Sequence, residues 1–155
     1  MSNVLVIFQA NTERTEQLAL AVGVGAVESE ANIRLRRLVT AGAVEVGHKG
    51  YGTLKEADLL WADVIVVGLE DAQPKRELDW LLSALTAADK TSFLQKQAWT
   101  FGAEGSAVAK TEAQLVVEEA LRTAGVTVLP TVAPDASDLT EQMKEAGRKL
   151  GQKRV

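Results

Sequence analysis

The chain has 155 residues, 46% of them hydrophobic and 25% charged, with a formal net charge of −4 and no cysteine. That length suits a single domain over 1–155 with a sizeable core, and the mild negative charge gives nucleic acid or an anionic membrane nothing to hold. The lack of cysteine excludes disulfides, thiolate nucleophiles and cysteine-based zinc sites, and fits a reducing cytoplasm.

The opening segment "MSNVLVIFQANT" has no basic leader, and its apolar run is too short for a signal peptide. No apolar run in the chain reaches the roughly 18 residues of a membrane span. Val4 to Phe8 is continuously apolar and rich in β-branched side chains, the pattern of a strand covered on both faces. From Thr15 the spacing turns helical, with Leu18, Ala21, Val22 and Gly25 on one side. "NIRLRRL" alternates Ile33 and Leu35 against Arg34 and Arg36, which predicts a half-exposed edge strand. Residues 40–52 are glycine-rich and read as a long connection.

Leu54 to Ala62 predicts a short helix leading into a second buried strand, Val64 to Val67. Arg76 to Leu85 carries a helical stripe of Leu78, Leu81, Leu82 and Leu85. "QAWTFG" predicts a strand around Ala98 to Phe101. Glu112 to Ala124 reads as a helix through Leu115, Ala120 and Leu121, with Gly125 as its stop signal. "VTVLP" predicts the last strand. Leu139, Met143, Ala146 and Leu150 mark a final helix, with Asp138 as its N-cap. The three tryptophans, Trp61, Trp80 and Trp99, fall on helix or strand positions and are expected to pack in the core.

Strands alternating with helices predict an α/β three-layer sandwich around a five-stranded parallel sheet. The alternating second strand belongs at an edge, which gives the order 2-1-3-4-5. Ligands of such sheets bind beyond the carboxyl ends of the first and third strands, where the winding reverses. That geometry selects the loops at 9–15, 68–76 and 102–111.

In the first loop, Asn11, Thr12 and Thr15 are compact hydrogen-bonding residues where a strand becomes a helix. Free amides, hydroxyls and the positive end of the helix dipole make an anion site there. The same residues also serve as ordinary helix caps. Glu13 opposes an anion and Arg14 offsets it. The second loop carries the adjacent acids Glu70 and Asp71, which can bind a metal or move protons. Two carboxylates alone supply too few metal ligands, so no metal is expected. In the third loop, Gly102 and Gly105 permit close backbone approach and Ser106 adds a hydroxyl, or the glycines are turn chemistry alone. His48, the only histidine, has no Ser or Asp constellation around it, and no catalytic residue stands out.

With these loops in place, the sequence resembles the flavodoxin-like family over nearly the whole chain, nearest to the flavin-dependent NAD(P)H:quinone oxidoreductase branch. "VLVIFQANTERTEQLA" is similar to the family's first strand, phosphate turn and helix, which commonly read S/T-x-T-G-x-T. "EADLLWADVIVVG", "KQAWTFGAEGS", "AGVTVLP" and "DLTEQMKEAGRKLG" are similar to the segments that follow, in order. The resemblance implies that Thr12 and Thr15 hold the phosphate of FMN together with Asn11, Arg14 and the turn backbone. Ala10 stands where a hydroxyl residue is usual, and Glu13 where the turn glycine is usual. Leu69, Glu70 and Asp71 stand in the second loop, where the family commonly has Pro-Thr-Tyr/Arg-Phe-Gly around the flavin ring. Gly102, Ala103, Gly105 and Ser106 match the loop at the flavin edge.

The resemblance implies an FMN-dependent oxidoreductase or electron-transfer protein, with the chemistry carried by the flavin. NAD(P)H and a quinone, or another redox partner, are its implied partners, and a homo-oligomer is compatible with it. The acidic pair Glu70 and Asp71 disfavours electron gain at the ring and lowers its potential. The alternative is a degenerate flavodoxin-fold protein that holds no FMN and serves as an interaction or subunit module. A third reading has another small ligand at the same switch point.

Overall fold

A computed structural model describes residues 2–9, 13–38, 52–70, 73, 78–87, 89–102, 110–129 and 139–151; for Glu13, Arg14, Gly52, Thr53, Lys90 and Leu139 it describes the backbone only. In chain order the elements are β1 (Asn3–Gln9), α1 (Glu13–Glu28), β2 (Asn32–Leu38), β3 (Gly52–Thr53), α2 (Glu56–Trp61), β4 (Val64–Leu69), α3 (Asp79–Thr86), α4 (Lys90–Phe93), β5 (Gln97–Gly102), α5 (Glu112–Ala124), β6 (Thr127–Val128) and α6 (Leu139–Gly151). The sheet runs β3-β2-β1-β4-β5-β6, and every pairing is parallel.

Leaving aside two-residue β3, the five remaining strands stand in the predicted order 2-1-3-4-5. β3 corrects the expectation that β2 is the edge along its whole length. Gly52 and Thr53 pair with Arg36 and Arg37, inside what reads as irregular sequence. β2 is nonetheless half-exposed, as its alternation predicts.

β1 and β4 are central because their side chains tolerate no water on either face. Val4 through Phe8 are fully buried, and Val64 through Val67 nearly so. Alternate residues of each strand feed two cores. Val4, Val6, Phe8, Val66, Trp99 and Phe101 face α1 and α6, which contribute Leu18, Val22, Ala26, Met143, Ala146 and Leu150. Leu5, Ile7, Ile65, Val67 and Ala98 face the other side, under Leu59 of α2, Leu81 and Leu85 of α3, Phe93 of α4, and Val117 and Leu121 of α5.

On the first face, α1 and α6 approach until backbone meets backbone. A Cβ on Gly25 would lie 1.9 Å from the Lys144 carbonyl oxygen, and one on Gly147 would lie 2.0 Å from that of Val22. Ser29 Oγ donates to the Arg148 carbonyl (2.7 Å), and the Arg148 guanidinium pairs with Glu28 and Glu145 at the rim. In the strands beneath, Gly68 lies in register between Phe8 and Phe101, and a Cβ there would sit 2.5 Å from the Phe101 ring.

The second face admits charge. Asp58 in α2 accepts from Arg34 and Arg36 of β2 (3.0 Å each) and from the Lys55 amide (3.0 Å). Burial alone would raise its pKa, but these donors outweigh burial and hold it below the usual aspartate range. Arg34 also lies over the Trp61 ring, 4.2 Å from its centroid. Lys96 is buried at the start of β5, where its ammonium donates to the carbonyls of Leu60 and Ala62 that end α2. Burial pushes the Lys96 pKa down, with Asp63 partly opposing.

Several expectations need correction here. Trp99 is buried as expected, but Trp80 is 40% exposed, because it lies on the solvent side of α3 while Leu78, Leu81 and Leu85 face inward. Leu115 is 52% exposed, so the inward stripe of α5 is Ala113, Val117, Leu121 and Ala124. The four-residue helix α4 has too few turns to leave a periodicity; its signal is Asp89, whose carboxylate accepts from the Thr91 amide. Gly125 does end α5, in the left-handed conformation at φ 102°. Asp138 and His48 lie outside the described residues. No described helix is long and apolar enough to cross a membrane.

Candidate functional site

At the carboxyl edge of the sheet, β1 ends at Gln9, β4 at Leu69 and β5 at Gly102. β1 and β4 are neighbours whose following helices, α1 and α3, cover opposite faces. This is the winding reversal at which a ligand crevice is expected. The head of the 16-residue helix α1 abuts it.

Three side chains tie this edge together. The Glu70 amide donates to Gln9 Oε1 (2.7 Å), which holds the start of the second loop over the end of β1. Thr15 Oγ1, in the first turn of α1, donates to Glu70 Oε1 (3.1 Å). Thr15 and Gln9 are both buried, whereas Glu70 is half-buried. The hydroxyl therefore points at an anionic oxygen, at a helix end whose dipole favours negative charge. Its donor chemistry fits a phosphate oxygen, and in this arrangement a carboxylate oxygen of the chain itself takes that donor.

The end of β5 is held by a second buried network. Thr100 Oγ1 donates to Glu118 Oε2 (2.6 Å) and accepts from Gln114 Nε2 (3.2 Å). Gln114 Oε1 accepts from the Thr111 amide (3.1 Å), while the Gln114 amide donates to Thr111 Oγ1 (3.2 Å), a reciprocal cap at the head of α5. Lys110 (2.9 Å) and Arg122 (3.4 Å) neutralise Glu118 from the solvent side. A Cβ on Gly102 would meet Gln114 Oε1 at 3.0 Å, so glycine there lets the Gln114 amide fold over the strand end. Of the borders of the third loop, Lys110 is thus paired with Glu118 of α5, and Gly102 lies against the Gln114 side chain.

Of the residues singled out in the sequence, Thr15, Leu69, Glu70 and Gly102 are described and stand along this edge. Thr15 and Glu70, 55 positions apart, are in direct contact. Leu69 is buried in the core under α3 and α5, so only its backbone borders the loop. Arg14 opens α1 beside Glu13, with its backbone alone described. Ala10, Asn11, Thr12, Asp71, Ala103, Gly105 and Ser106 lie outside the described residues. Gln9, Thr100, Gln114 and Glu118 are additions that sequence reading missed. Two of them had a signal: Gln114 and Glu118 are polar residues spaced i, i+4 within the apolar stripe of α5. No group of three or more His, Asp or Glu suited to a metal occurs among the described residues.

No family model matches the chain, and no curated protein sequence does. Solved structures do match. The flavodoxin-like domain of a Synechococcus protein superposes with a TM-score of 0.63 at 20% identity, covering 96% of this chain and 95% of that one. The fold is flavodoxin-like. Oxidised flavodoxin 2 from Bacillus cereus matches this flavodoxin-like chain with a TM-score of 0.65 at 18% identity, covering 94% and 95% of the two chains. An NAD(P)H:quinone oxidoreductase from Methanothermobacter marburgensis matches at 0.55 and 13%, covering 98% and 95%. The flavodoxin-like neighbours therefore include both flavodoxins and a quinone reductase, at identities that speak for the fold alone.

Proposed function

We propose that this flavodoxin-like protein binds FMN at the carboxyl edge of β1, β4 and β5 and acts as a redox protein, with NAD(P)H:quinone oxidoreductase chemistry as its nearest enzymatic form. The observation that carries the reading is the buried Thr15 hydroxyl at the head of α1, already bonded to an anionic oxygen at the winding reversal. Bound FMN would supply the electron chemistry. Thr12, Thr15, Arg14 and the amides of residues 10–15 would hold its phosphate. Leu69, Glu70 and Asp71 on one side and Gly102, Ala103, Gly105 and Ser106 on the other would border its ring. The negative charge of the second loop would disfavour electron gain and lower the potential. NAD(P)H and a quinone are the proposed donor and acceptor.

The test is direct. The purified protein is inspected for flavin colour and titrated with FMN while flavin fluorescence is followed. Saturable binding in the micromolar range or below is the expected result; none at high micromolar FMN overturns the proposal. A second reading, an FMN-free interaction or subunit module, is favoured by the same contact, since Glu70 occupies the hydroxyl that a phosphate needs. Under that reading FMN leaves the protein unchanged, and light scattering on a size-exclusion column reveals self-association or a bound protein.

A further inference from the structure

We propose that the open flank of α1, together with β2, is the surface through which two copies of this chain pair about a two-fold axis, with the two α1 helices antiparallel. The inference is independent of the carboxyl edge and holds whether or not FMN binds there.

α1 is apolar on more sides than a surface helix needs. Leu18 through Val27 include no polar side chain, and a helix that is apolar all round is ordinarily covered all round. Leu18, Ala19, Ala21, Val22 and Ala26 are buried in the layer shared with the sheet and α6. One flank is open among the described residues. Val24 is 45% exposed and Val27 52%, and with Leu20, Gly23, Ile33 and Leu35 they line a groove of about 240 Å³. Gly23, having no side chain, leaves a pit in it; a Cβ there would already touch Ile33 Cδ1 at 3.4 Å.

The edge of β2 rules out one kind of occupant. Arg37 turns its carbonyl outward to the Leu54 amide, so the Leu35 carbonyl, two residues earlier, faces the same way. That carbonyl already accepts from the Arg36 guanidinium (2.9 Å). An added strand would find this acceptor occupied, so the groove suits a helix rather than an extended peptide.

A second α1 is the helix that fits, in shape and in charge. A two-fold axis passing between residues 23 and 24 sets Val24 of each copy over Gly23 of the other, and Val27 over Leu20. Knob and pit lie side by side on one stripe, which is the self-complementarity that an isologous contact requires. The short turn after α1 sends β2 back along it, so the end of α1 lies beside the start of β2. At that end Glu28, Glu30 and Glu145 outnumber Arg148. Towards the other end Arg34, Arg36 and Arg37 outnumber Asp58 and Glu16. Antiparallel pairing sets the acidic end of each copy against the basic end of the other, whereas parallel pairing would oppose like to like. One helix flank and one strand edge make a small interface, so the dissociation constant should be roughly micromolar.

The experiment is sedimentation velocity with light scattering on the full chain, from about 1 µM to about 1 mM. A reversible dimer is expected. Val24→Glu and Val27→Glu should each abolish it and leave the helical circular dichroism unchanged, because both side chains face solvent in the single copy. Gly23→Ala splits the readout. Alanine is the better helix former, and its methyl would meet Ile33 at ordinary contact distance, so the dilute protein should melt higher. The same methyl fills the pit, so the dimer dissociation constant should rise about tenfold. The orientation has its own test, because the chain has no cysteine and a single Val24→Cys variant can pair only with its copy. Diamide, which takes up the two thiol hydrogens, should link it faster than Leu115→Cys, exposed on the helix layer across the sheet. A monomer throughout the concentration range overturns the proposal. So does a dimer that survives Val27→Glu, which puts the contact elsewhere, or a Val24→Cys variant that links no faster than the control, which denies the two-fold arrangement.

Discussion

On one face of the sheet, α1 and α6 touch through Gly25 and Gly147 over a layer of Val, Phe and Trp side chains. On the other, Leu5, Ile7 and Val67 share their layer with Asp58 at the β2 side and Glu118 at the β5 side, both buried and both fully ligated. The first face is specified by shape, because nothing larger than hydrogen fits where the helices cross. The second is specified by pairing, because each buried charge is tolerated only while its partners stay. The core of the first face is thus held by shape, with its ion pairs confined to the rim, whereas the second carries charge pairs inside its core.

Four substitutions probe that contrast. The largest loss is expected for Glu118→Ala, which strips the acceptor from Thr100, Lys110 and Arg122 together. Breaking a buried pair of this kind costs about 3–5 kcal/mol, read as a lower urea midpoint. A loss near zero would mean that water already reaches the network. Gly147→Ala comes next, since its new methyl would collide with a backbone oxygen that cannot swing aside. With backbone only 2.0 Å away, the overpacking should reach or pass the top of the usual range of about 1–3 kcal/mol, well beyond the ~1 kcal/mol that alanine gains over glycine in a helix. Its penalty should be the same at pH 4 and pH 7; a pH-dependent penalty would erase the distinction between the faces.

Asp58→Asn should cost about 1–3 kcal/mol at neutral pH, as expected when a buried charged acceptor is lost from its half-buried arginine donors. The wild-type contribution has a defined pH window. The folded Asp58 pKa lies below 3.8, so folding holds fewer protons than the unfolded chain across that interval. The stabilisation is complete above the unfolded value and is lost as pH falls through the folded one. The wild type and Asp58→Asn should therefore converge in stability once the pH has fallen through the folded Asp58 pKa, as followed by thermal melts. The smallest effect belongs to Arg148→Gln. Its pairs with Glu28 and Glu145 sit at the solvent edge of the shape-determined face, where salt screens them. The helix contact should survive that change with little loss of melting temperature.

What the sequence revealed, and what it hid, follows the same division. β1 and β4 were legible because burial on both faces leaves unbroken apolar runs, and α5 because Ala120 and Leu121 recur at helical spacing before the stop at Gly125. The order of the main strands followed from one alternating segment, Asn32–Leu38. β3 and α4 left no periodic pattern, being too short to repeat one. The site was legible as three loops, with Thr15 and Glu70 each noted, but not as a contact between them. That contact joins residues 55 positions apart, which only the packing of α1 against the sheet brings together. Leu115 and Trp80 misled for the converse reason: large apolar residues also occur at solvent-facing helical positions, so their identity alone does not give the inward side.

The three tryptophans give each region of the molecule its own optical signal. Trp99, sealed in the α1/α6 layer 5.6 Å from Phe101, should emit in the blue. Trp61 beneath the Arg34 guanidinium reports on the β2 edge of the opposite layer, and solvent-facing Trp80 supplies a red-shifted baseline. With single-tryptophan versions, the melting of the two layers can be watched separately in one chain, without any attached dye.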